Sequence, residues 1–276
     1  MIIKPKISVI IPTHNRQKLL LRAIRSVLDQ TYQDFEIIVV DDFGASEDCG
    51  KLDPRIRYIR SDTSGYPGAS RNKGIDISKG TYIAFLDDDD IWTPDKLKKQ
   101  ISLMKKDESL GMVCSNMFQV SSPEEKPIQK YFADKPQMAG NLLVKMILQS
   151  FAHTPTCLLR REVFSTVGTF FVDPRMKVAE DTDMWMRVAT AYNIVYDPEP
   201  LVVRLLDLKE GDNISRKYST PMRNDVYQFK AVQLAYRRLL HYRIPLLARL
   251  LVYLQIVNYQ LKIIHDKFKG KWPDQT

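Results

Sequence analysis

The chain has 276 residues, 44% of them apolar, and carries a formal net charge of +8. This is enough for one large domain, with or without an appendage. The three cysteines lie far apart and exclude a disulfide framework and a cysteine zinc site, so we expect a reducing, cytoplasmic compartment. The apolar run over residues 7–11 is too short for a signal-peptide core, and we expect no export signal.

The positive charge is concentrated in the last fifth of the chain. Residues 222–276 contain ten Lys or Arg and three Asp, which accounts for nearly all of the excess. This asymmetry predicts an anionic partner surface for the tail and not for the whole protein.

Alternating strand and helix patterns open the chain. Residues 6–12 read as a buried strand, and apolar residues at helical spacing follow up to residue 28. A second strand, 35–40, ends in Asp41-Asp42, and a third covers 56–60. A helix over 68–79 and a strand over 81–86 complete the pattern, which predicts an α/β fold with a parallel sheet and right-handed crossovers.

Four consecutive carboxylates, Asp87 to Asp90, follow the strand over 81–86. Two unit charges about 4 Å apart repel by roughly 1 kcal/mol in water and about 4 at a partly buried surface. A divalent cation would offset this repulsion and hold a phosphorylated substrate at the carboxyl edge of the sheet. The alternative is a solvated acidic turn before a helix capped by Thr93 and Pro94. Neither G-x-G-x-x-G nor a P-loop occurs.

The middle of the chain is less regular. Residues 121–140 are polar and indicate a loop or insertion over the sheet edge, followed by helices at 141–151 and 160–167. A helix with an acidic start begins near Glu180, where helix capping is the alternative to a chemical role. Residues 205–220 read as a linker.

Six ordered segments resemble the inverting family 2 glycosyltransferases, which have the GT-A fold, a Rossmann-like and mostly parallel sheet flanked by helices. The resemblance covers roughly residues 5–205 and is to bacterial enzymes of surface polysaccharide assembly. The segments are Ser8-Val9-Ile10-Ile11-Pro12-Thr13-His14-Asn15-Arg16, Gln30-Thr31-Tyr32, Val39-Val40-Asp41-Asp42, Arg71-Asn72-Lys73-Gly74, Phe85-Leu86-Asp87-Asp88-Asp89-Asp90 and Glu180-Asp181.

The resemblance implies a nucleotide-diphosphate sugar as donor, most often UDP-linked. Pro12 and Thr13 would face the base, with Asn15 also in the donor site. Asp42 resembles an acid that accepts a hydrogen bond from a uracil ring N–H. Arg71 would approach the base or a phosphate, its alternative being a surface arginine on a helix.

The aspartate run resembles the D-x-D motif of the family. Asp87 or Asp88 would contact the ribose or diphosphate region, and Asp89 would bind Mn²⁺ or Mg²⁺, although four aspartates in a row leave the register open. Asp181 resembles the catalytic base, which takes the proton of the acceptor hydroxyl in a single displacement. Glu180 beside it would raise the pKa of Asp181.

The acceptor is less defined by the sequence. No Q-x-x-R-W follows the base, so we expect non-processive transfer to a hydroxyl of a glycan or a polyprenyl-linked acceptor. His153 lies in the region expected to face that acceptor, or is a packed histidine. His14 stands where the family often has tyrosine and reads as a tolerated variant.

We expect a catalytic domain over 1–215, with a nucleotide-sugar half to about 110 and an acceptor half from 111, followed by a basic helical extension over 216–276. The apolar stretch at 244–264 is too interrupted to span a membrane. It could lie on the anionic inner face of the cell membrane, pack on the catalytic domain, or join a homodimer.

Alternatives for the whole chain are an inactive nucleotide-sugar-binding protein and a sugar nucleotidyltransferase. No nucleic-acid-binding motif is present.

Overall fold

A computed structural model describes residues 5–42, 44, 47–62, 65–120, 129–132, 135–205 and 221–268. Ten strands in these residues form one sheet, whose main order is β3-β2-β1-β4-β9-β6-β10-β5, with β7 beside β6 and β8 beside β10. Helices cover both faces. The predicted α/β sheet flanked by helices is confirmed.

The N-terminal half contains the predicted parallel strands. The elements are β1 (Ile7–Thr13), α1 (Gln17–Leu28), β2 (Phe35–Asp42), β3 (Ile56–Ser61), α2 (Pro67–Ile77) and β4 (Tyr82–Phe85). Strand β1 pairs in parallel with both β2 and β4, and β2 pairs in parallel with β3. The carboxyl ends of β1, β2 and β4 therefore lie side by side.

The second half extends the sheet with mixed pairing. Its elements are β5 (Ile91–Trp92), α3 (Lys96–Lys106), β6 (Leu110–Val120), β7 (Gln129–Lys130), β8 (Met138–Gly140), α4 (Leu143–Leu148), β9 (Leu158–Arg160), α5 (Glu162–Val167), α6 (Glu180–Ala191) and β10 (Asn193–Leu205). Short 3₁₀ turns cover Glu47–Lys51, Thr154–Thr156 and Pro174–Met176. The short β9 runs antiparallel to both β4 and β6 and joins the two parts of the sheet.

Three expectations for this half are wrong. Within 121–140, β7 and β8 pair with β6 and β10, so the described part is not simply a loop. Helix α3 begins at Lys96 with Asp95 at its N-cap, so Thr93 and Pro94 do not cap it. The residues before them belong to β5, which pairs with β10. Arg160 ends β9 instead of starting a helix.

The core lies on both faces of the sheet, as the period-2 alternation of the strands dictates. On β1, Val9 and Ile11 join the cluster that contains the buried face of α1, and Ile10 joins the opposite cluster. The opposite cluster is the larger one and includes Phe85, Trp185 and residues of the C-terminal helices. All these side chains are shielded from solvent, so the sheet is a rigid platform for groups at its edge.

Two C-terminal helices, α7 (Pro221–Leu239) and α8 (Leu246–Phe268), pack on α4, α6 and the 3₁₀ turn at Pro174–Met176. Ala235, Tyr236, Leu239, Ala248 and Val252 belong to the larger core cluster. The inner face of the tail therefore packs on the preceding part of the chain, which was one of the alternatives for it. The proposed linker lies almost entirely in 206–220, outside the described residues, and so does the domain boundary after 215.

Candidate active site

Three strand ends create a polar edge on the sheet. In the register of β1 and β2, Thr13 lies opposite Asp41, and Asp42 follows as the last residue of β2. Pro12 is half-buried beside Thr13. On the other side of β1, β4 ends at Phe85, and the aspartate run begins after Leu86. In open α/β sheets, ligands bind at this edge.

The end of β2 is fixed by two neighbouring turns. The backbone N–H of Gly65 donates to the Asp42 carboxylate, and the Nδ1–H of His14 donates to the Asp42 backbone carbonyl. Gly65 has a φ of 71°, a conformation that glycine adopts without a steric penalty. Exposed Asn15 has a φ of 54°, which asparagine tolerates. His14 thus anchors the β1–α1 turn, a role that its interpretation as a tolerated variant had missed.

The four aspartates alternate between buried and open positions. Asp88 and Asp90 are 5% and 4% exposed, whereas the side chains of Asp87 and Asp89 are 30% and 21% exposed. Asp88 accepts hydrogen bonds from the Thr13 hydroxyl at 2.7 Å and from Arg16 at 3.0 Å.

The other buried aspartate, Asp90, lies close to β10, where the backbone N–H of Leu205 opposes the rise in its pKa. The two buried carboxylates therefore face the protein interior, with Asp88 bound to Thr13 of β1 and Asp90 close to β10. The two more open carboxylates, Asp87 and Asp89, are the members of the run that a ligand can reach.

The aspartates destabilise one another's charged forms. Burial, followed by the charge of Asp89, raises the pKa of Asp88 to about 7, although Arg16 and the Thr13 hydroxyl oppose the shift. Burial and the charge of Asp87 raise the pKa of Asp89. Burial and its acidic neighbours raise the pKa of Asp90 well above the usual range. A positive charge bound at this edge would relieve that strain.

The donor set fits a divalent metal ion that also binds phosphate. Hard cations prefer carboxylate oxygens, and Mg²⁺ typically takes one or two carboxylates together with substrate phosphates and water. Asp87 and Asp89 supply such carboxylates. Among the described residues no three His, Cys, Asp or Glu side chains form a complete metal site, so ligands from a substrate or water would have to fill the remaining positions.

Arg71 joins α6 to the polar edge formed by the ends of β1, β2 and β4 and the run Asp87 to Asp90, which we call the donor edge. Its side chain is 6% exposed, and its Nη2 donates to Asp87 at 2.7 Å while its Nη1 donates to Glu180 at 3.1 Å. The ring of Phe170 lies 5.5 Å from its guanidinium carbon. The alternative of a surface arginine is therefore wrong. Both terminal nitrogens of Arg71 already bind carboxylates, which is typical of a positioning residue.

The first turn of α6 carries three acids with different partners. Burial raises the pKa of Glu180 to about 8, although Arg71 opposes the shift. Asp183 is 1% exposed and accepts from Arg187 and from Arg238, each at 2.8 Å. Neither Glu180 nor Asp183 is merely a helix cap, because each is part of a buried ion pair.

Asp181 stands between these paired acids. Its Oδ1 accepts from the backbone N–H of Thr182 at 2.6 Å, and no hydrogen bond in the described part of the chain engages its Oδ2. Burial raises the pKa of Asp181, and the charge of Asp87 adds to the shift, while Arg71 and Thr182 oppose it. Burial is thus the largest cause of the raised pKa, in place of the expected charge of Glu180.

His153 lies near the same edge, inside an aromatic cluster. Its ring stacks on Phe132 with centroids 6.0 Å apart and meets Tyr131 edge-on at 4.8 Å. Its buried Nε2 has no hydrogen-bond partner in the described residues. Burial, followed by the charge of Arg204, lowers the pKa of His153 to about 4, and Asp87 opposes the shift.

Two arginines at the site had been given no role. Arg16 binds Asp88 and also donates to Asp89 at 3.2 Å. Arg204 on β10 acts electrostatically on Asp89 and Asp90. Arg16 is the last residue of the family-like segment that begins at Ser8. Its position three residues beyond the end of β1 could have indicated a contact with the aspartates at the same edge. Arg204 comes from an unpredicted strand 114 to 117 positions away from the aspartates, and no local signal indicates it.

Comparison with curated proteins gives a consistent set of relatives. A glycosyltransferase of Rickettsia bellii is 32% identical over 194 residues, which are 67% of this chain and 26% of the relative. WcaA of Escherichia coli K12, a putative colanic acid biosynthesis glycosyl transferase, is 29% identical over 75% of this chain and 74% of its own. The amylovoran biosynthesis glycosyltransferase AmsB of Erwinia amylovora is 28% identical over 83% of both chains.

The chain spans only part of the first relatives. It covers 26%, 64% and 31% of the lengths of the glycosyltransferases from Rickettsia bellii, Rickettsia prowazekii and Rickettsia felis.

Solved structures show the same fold. Staphylococcus aureus TarS 1–349 in complex with UDP-GlcNAc aligns with a TM-score of 0.69 over 93% of this chain and 73% of its own, at 18% identity. The mannosyltransferase PcManGT of Pyrobaculum calidifontis, in complex with GDP-Man and Mn²⁺, aligns with a TM-score of 0.65 over 92% and 70%, at 16% identity. The predicted GT-A fold is thereby confirmed.

The sequence itself matches the family model of glycosyl transferase family 2 over residues 8–168, a segment that runs from β1 through α5. It includes the end of β1, Asp42, Arg71 and the aspartate run. This chain belongs to glycosyl transferase family 2.

Proposed function

We propose that this protein is an inverting, metal-dependent glycosyltransferase that moves one sugar from a nucleotide-diphosphate sugar to an acceptor hydroxyl. One observation carries the proposal: Arg71 holds Asp87 of the donor edge and Glu180 of α6 at 2.7 and 3.1 Å. This contact keeps Asp181 next to the edge where a diphosphate and its metal would bind. The edge that would bind the sugar donor and the carboxylate that would accept the proton thus belong to one connected site.

The donor would lie across the ends of β1, β2 and β4. Pro12, Thr13 and Asn15 border the place of the nucleotide base, and Asp42 provides the acceptor for a uracil N–H. UDP-sugars are therefore the first choice of donor. The complexes of TarS with UDP-GlcNAc and of PcManGT with GDP-Man support a nucleotide-sugar but differ in the base.

Asp89 is the proposed metal ligand, with Asp87 as the other carboxylate open to the ion. The alternating burial of the run favours this register, because Asp88 is already held by Thr13 and Arg16. We therefore assign Asp88 to positioning of the donor edge and not to direct donor contact. Bound Mn²⁺ or Mg²⁺ would supply positive charge for the leaving diphosphate. PcManGT, which shares the fold, was solved in complex with GDP-Man and Mn²⁺, and this supports a metal at the equivalent edge.

Asp181 would act as the general base. It takes the proton of the acceptor hydroxyl while that oxygen forms a bond to the anomeric carbon, and the bond to the nucleotide diphosphate breaks on the opposite face. Its raised pKa makes it a stronger base than an exposed aspartate. Thr182 orients one carboxylate oxygen and leaves the other for the acceptor.

The acceptor would be a glycan or a polyprenyl-linked sugar of a surface polysaccharide. Relatives named for colanic acid and amylovoran biosynthesis support this class. The charges of Asp87 and Arg204 act on His153, which is therefore close to the donor edge, and Tyr131 packs against the His153 ring. We assign both aromatic residues to the acceptor side. The three cysteines are buried free thiols, in accord with a cytoplasmic location.

The test is calorimetric titration of the full chain with UDP, GDP and dTDP, each with and without Mn²⁺. We expect UDP to bind most tightly and only with metal. Asp89→Ala should abolish the metal-dependent part, and Asp76→Ala, a change at an exposed aspartate of α2, should leave it intact. Metal-independent binding would contradict the metal site, and a preference for GDP or dTDP would contradict the role of Asp42.

Product analysis separates the enzyme from its alternatives. Incubation with UDP-sugars and Mn²⁺ should release UDP slowly through hydrolysis even when no acceptor is supplied. Release of pyrophosphate from a sugar phosphate and a nucleoside triphosphate would instead favour a nucleotidyltransferase. Tight nucleotide binding with neither product would favour an inactive binding protein.

A further inference from the structure

Helix α8 has an apolar outer face that the rest of the described chain leaves uncovered. Eight large apolar residues on it are between 40% and 73% exposed, and they are Leu246, Leu247, Leu250, Tyr253, Leu254, Val257, Leu261 and Ile264. At about 100° per residue they fall within an arc of roughly 120°. We call this set the α8 stripe.

The opposite side of the same helix is satisfied. Ala248, Val252 and Ile263 are buried against the core, and Gln233 of α7 donates to the Ile256 backbone carbonyl and to Gln260. Helix α8 is therefore held in place by its inner face, and the α8 stripe is not needed for packing. An exposed apolar patch of this extent marks an interaction site.

The charges around the stripe are predominantly basic. Helix α8 contains Arg249, Lys262 and Lys267 against Asp266, and residues 222–276 as a whole contain ten Lys or Arg and three Asp. On the helical projection, Arg249 and Lys262 lie on opposite flanks of the stripe. The Lys262 ammonium lies 5.0 Å from the centroid of the Tyr259 ring and 5.5 Å from that of Phe229 on α7, so its long side chain leans from this flank toward α7.

We infer that the α8 stripe docks the protein on a membrane with anionic lipids, with α8 lying in the plane of the interface. Apolar side chains enter the boundary between headgroups and acyl chains, and the flanking basic residues meet lipid phosphates. None of the described helices is long and apolar enough to cross the bilayer. A second copy of the chain is a poorer occupant, because pairing two stripes would bring arginine and lysine flanks together, with only three Asp against ten Lys or Arg over residues 222–276 of each copy.

The test is co-sedimentation of the full chain with vesicles, carried out without nucleotide so that its result is independent of the proposed donor chemistry. Vesicles of phosphatidylcholine are compared with vesicles that also contain about 30% phosphatidylglycerol. We expect binding to the anionic vesicles to be at least about tenfold stronger and to weaken in about 0.5 M NaCl.

Two variants separate the apolar and the charged contributions. Leu254→Gln with Leu261→Gln should lower binding about tenfold or more, and Arg249→Gln with Lys262→Gln should abolish the preference for anionic lipid. Leu52→Gln, a change at a 49% exposed leucine before β3, is the matched control and should bind like the wild type. Circular dichroism and urea denaturation verify that each variant remains folded.

Absence of vesicle binding by the wild type, or equal binding to neutral and anionic vesicles, would overturn the inference. So would unchanged binding by the double leucine variant. A wild-type dimer in light scattering that becomes monomeric in this variant, without any vesicle binding, would assign the α8 stripe to a second copy.

Discussion

The donor edge and the start of α6 both gather carboxylates, but they neutralise them differently. At the donor edge, the cationic side chains in direct contact with the four aspartates are, among the described residues, Arg16 and Arg71, and burial raises the pKa of three of the aspartates. At the start of α6, Glu180 binds Arg71, and Asp183 binds two further arginines. The donor edge is short of positive charge, whereas the α6 cluster is nearly balanced.

This difference suggests a division of labour. A site short of positive charge gains stability from a bound cation, as proposed for Asp89 and its diphosphate. A balanced site needs no ion. Asp181, which forms no ion pair with any residue that the structure describes, would remain available for proton transfer. Arg71 contacts both regions, so the comparison can be tested through each region separately and through their shared arginine.

The largest expected effect is on the α6 side. Asp181→Asn keeps the shape and the oxygen that Thr182 contacts, but removes the ability to accept a proton. Transfer should fall about 10³-fold in kcat, since general bases contribute about 10² to 10⁴-fold. UDP affinity, measured by calorimetry, should stay within about twofold because the donor edge is intact.

Asp76→Asn on the exposed face of α2 is the control for this change and should retain wild-type kcat. If Asp181→Asn kept kcat within about tenfold of the wild type, the base would have to be another group. The near balance of acidic and basic side chains at the start of α6 would then not be related to catalysis.

The shared arginine comes next. Arg71→Met retains apolar bulk but leaves Glu180 buried without its cation, which should lower the free energy of unfolding by about 3 kcal/mol. Activity should also fall, because Asp87 and α6 lose their common anchor. Urea denaturation and donor hydrolysis measure the two effects.

A second substitution separates the effect of Arg71→Met on stability from its effect on activity. Adding Glu180→Met to Arg71→Met removes the buried polar group that has lost its partner and should recover a large part of the lost stability, but not the activity. If the double variant were as unstable as the single one, the ion pair with Glu180 would not explain the effect.

Much of the donor edge could be predicted from sequence because its signals are local. Strands β1, β2 and β4 are short apolar runs, and each is followed directly by polar residues of the site. Since parallel strands align their carboxyl ends, Asp42 and the run from Asp87 had to meet at one edge. The helical spacing on α1 was equally plain.

What sequence could not give depends on contacts between distant segments. The alternation of Asp87 to Asp90 between open and buried arises because Thr13 and Arg16 bind Asp88, and Asp90 lies close to Leu205 on β10. Strand β9 is three residues long and lies antiparallel between β4 and β6, which only tertiary packing determines. The buried position of Arg71 likewise depends on Glu180, 109 residues away.

A smaller effect tests the balance of the α6 cluster itself. Arg238 is 27% exposed on α7 and shares Asp183 with Arg187. Arg238→Met should lower the free energy of unfolding by about 2 kcal/mol, less than the loss of a sole partner, because Arg187 still neutralises Asp183. The exposed neighbour substitution Arg237→Met is the matched control in urea denaturation and should change little. Equal effects of the two would mean that the contact with Asp183 does not anchor α7.

The smallest effect concerns His153, which faces the donor edge yet is held neutral by burial. Its pKa is about 4 in the folded chain against an ordinary value near 6.5, so between these values the unfolded chain binds a proton that the folded chain lacks. Stability is therefore lost as the pH falls from 6.5 towards 4. His153→Phe fills the aromatic cluster without titrating and should reduce the stability difference between pH 7 and pH 5 by about 1.5 kcal/mol. Urea denaturation at both pH values measures this difference. An unchanged difference would mean that His153 is charged in the folded protein and supplies part of the positive charge that the donor edge otherwise lacks.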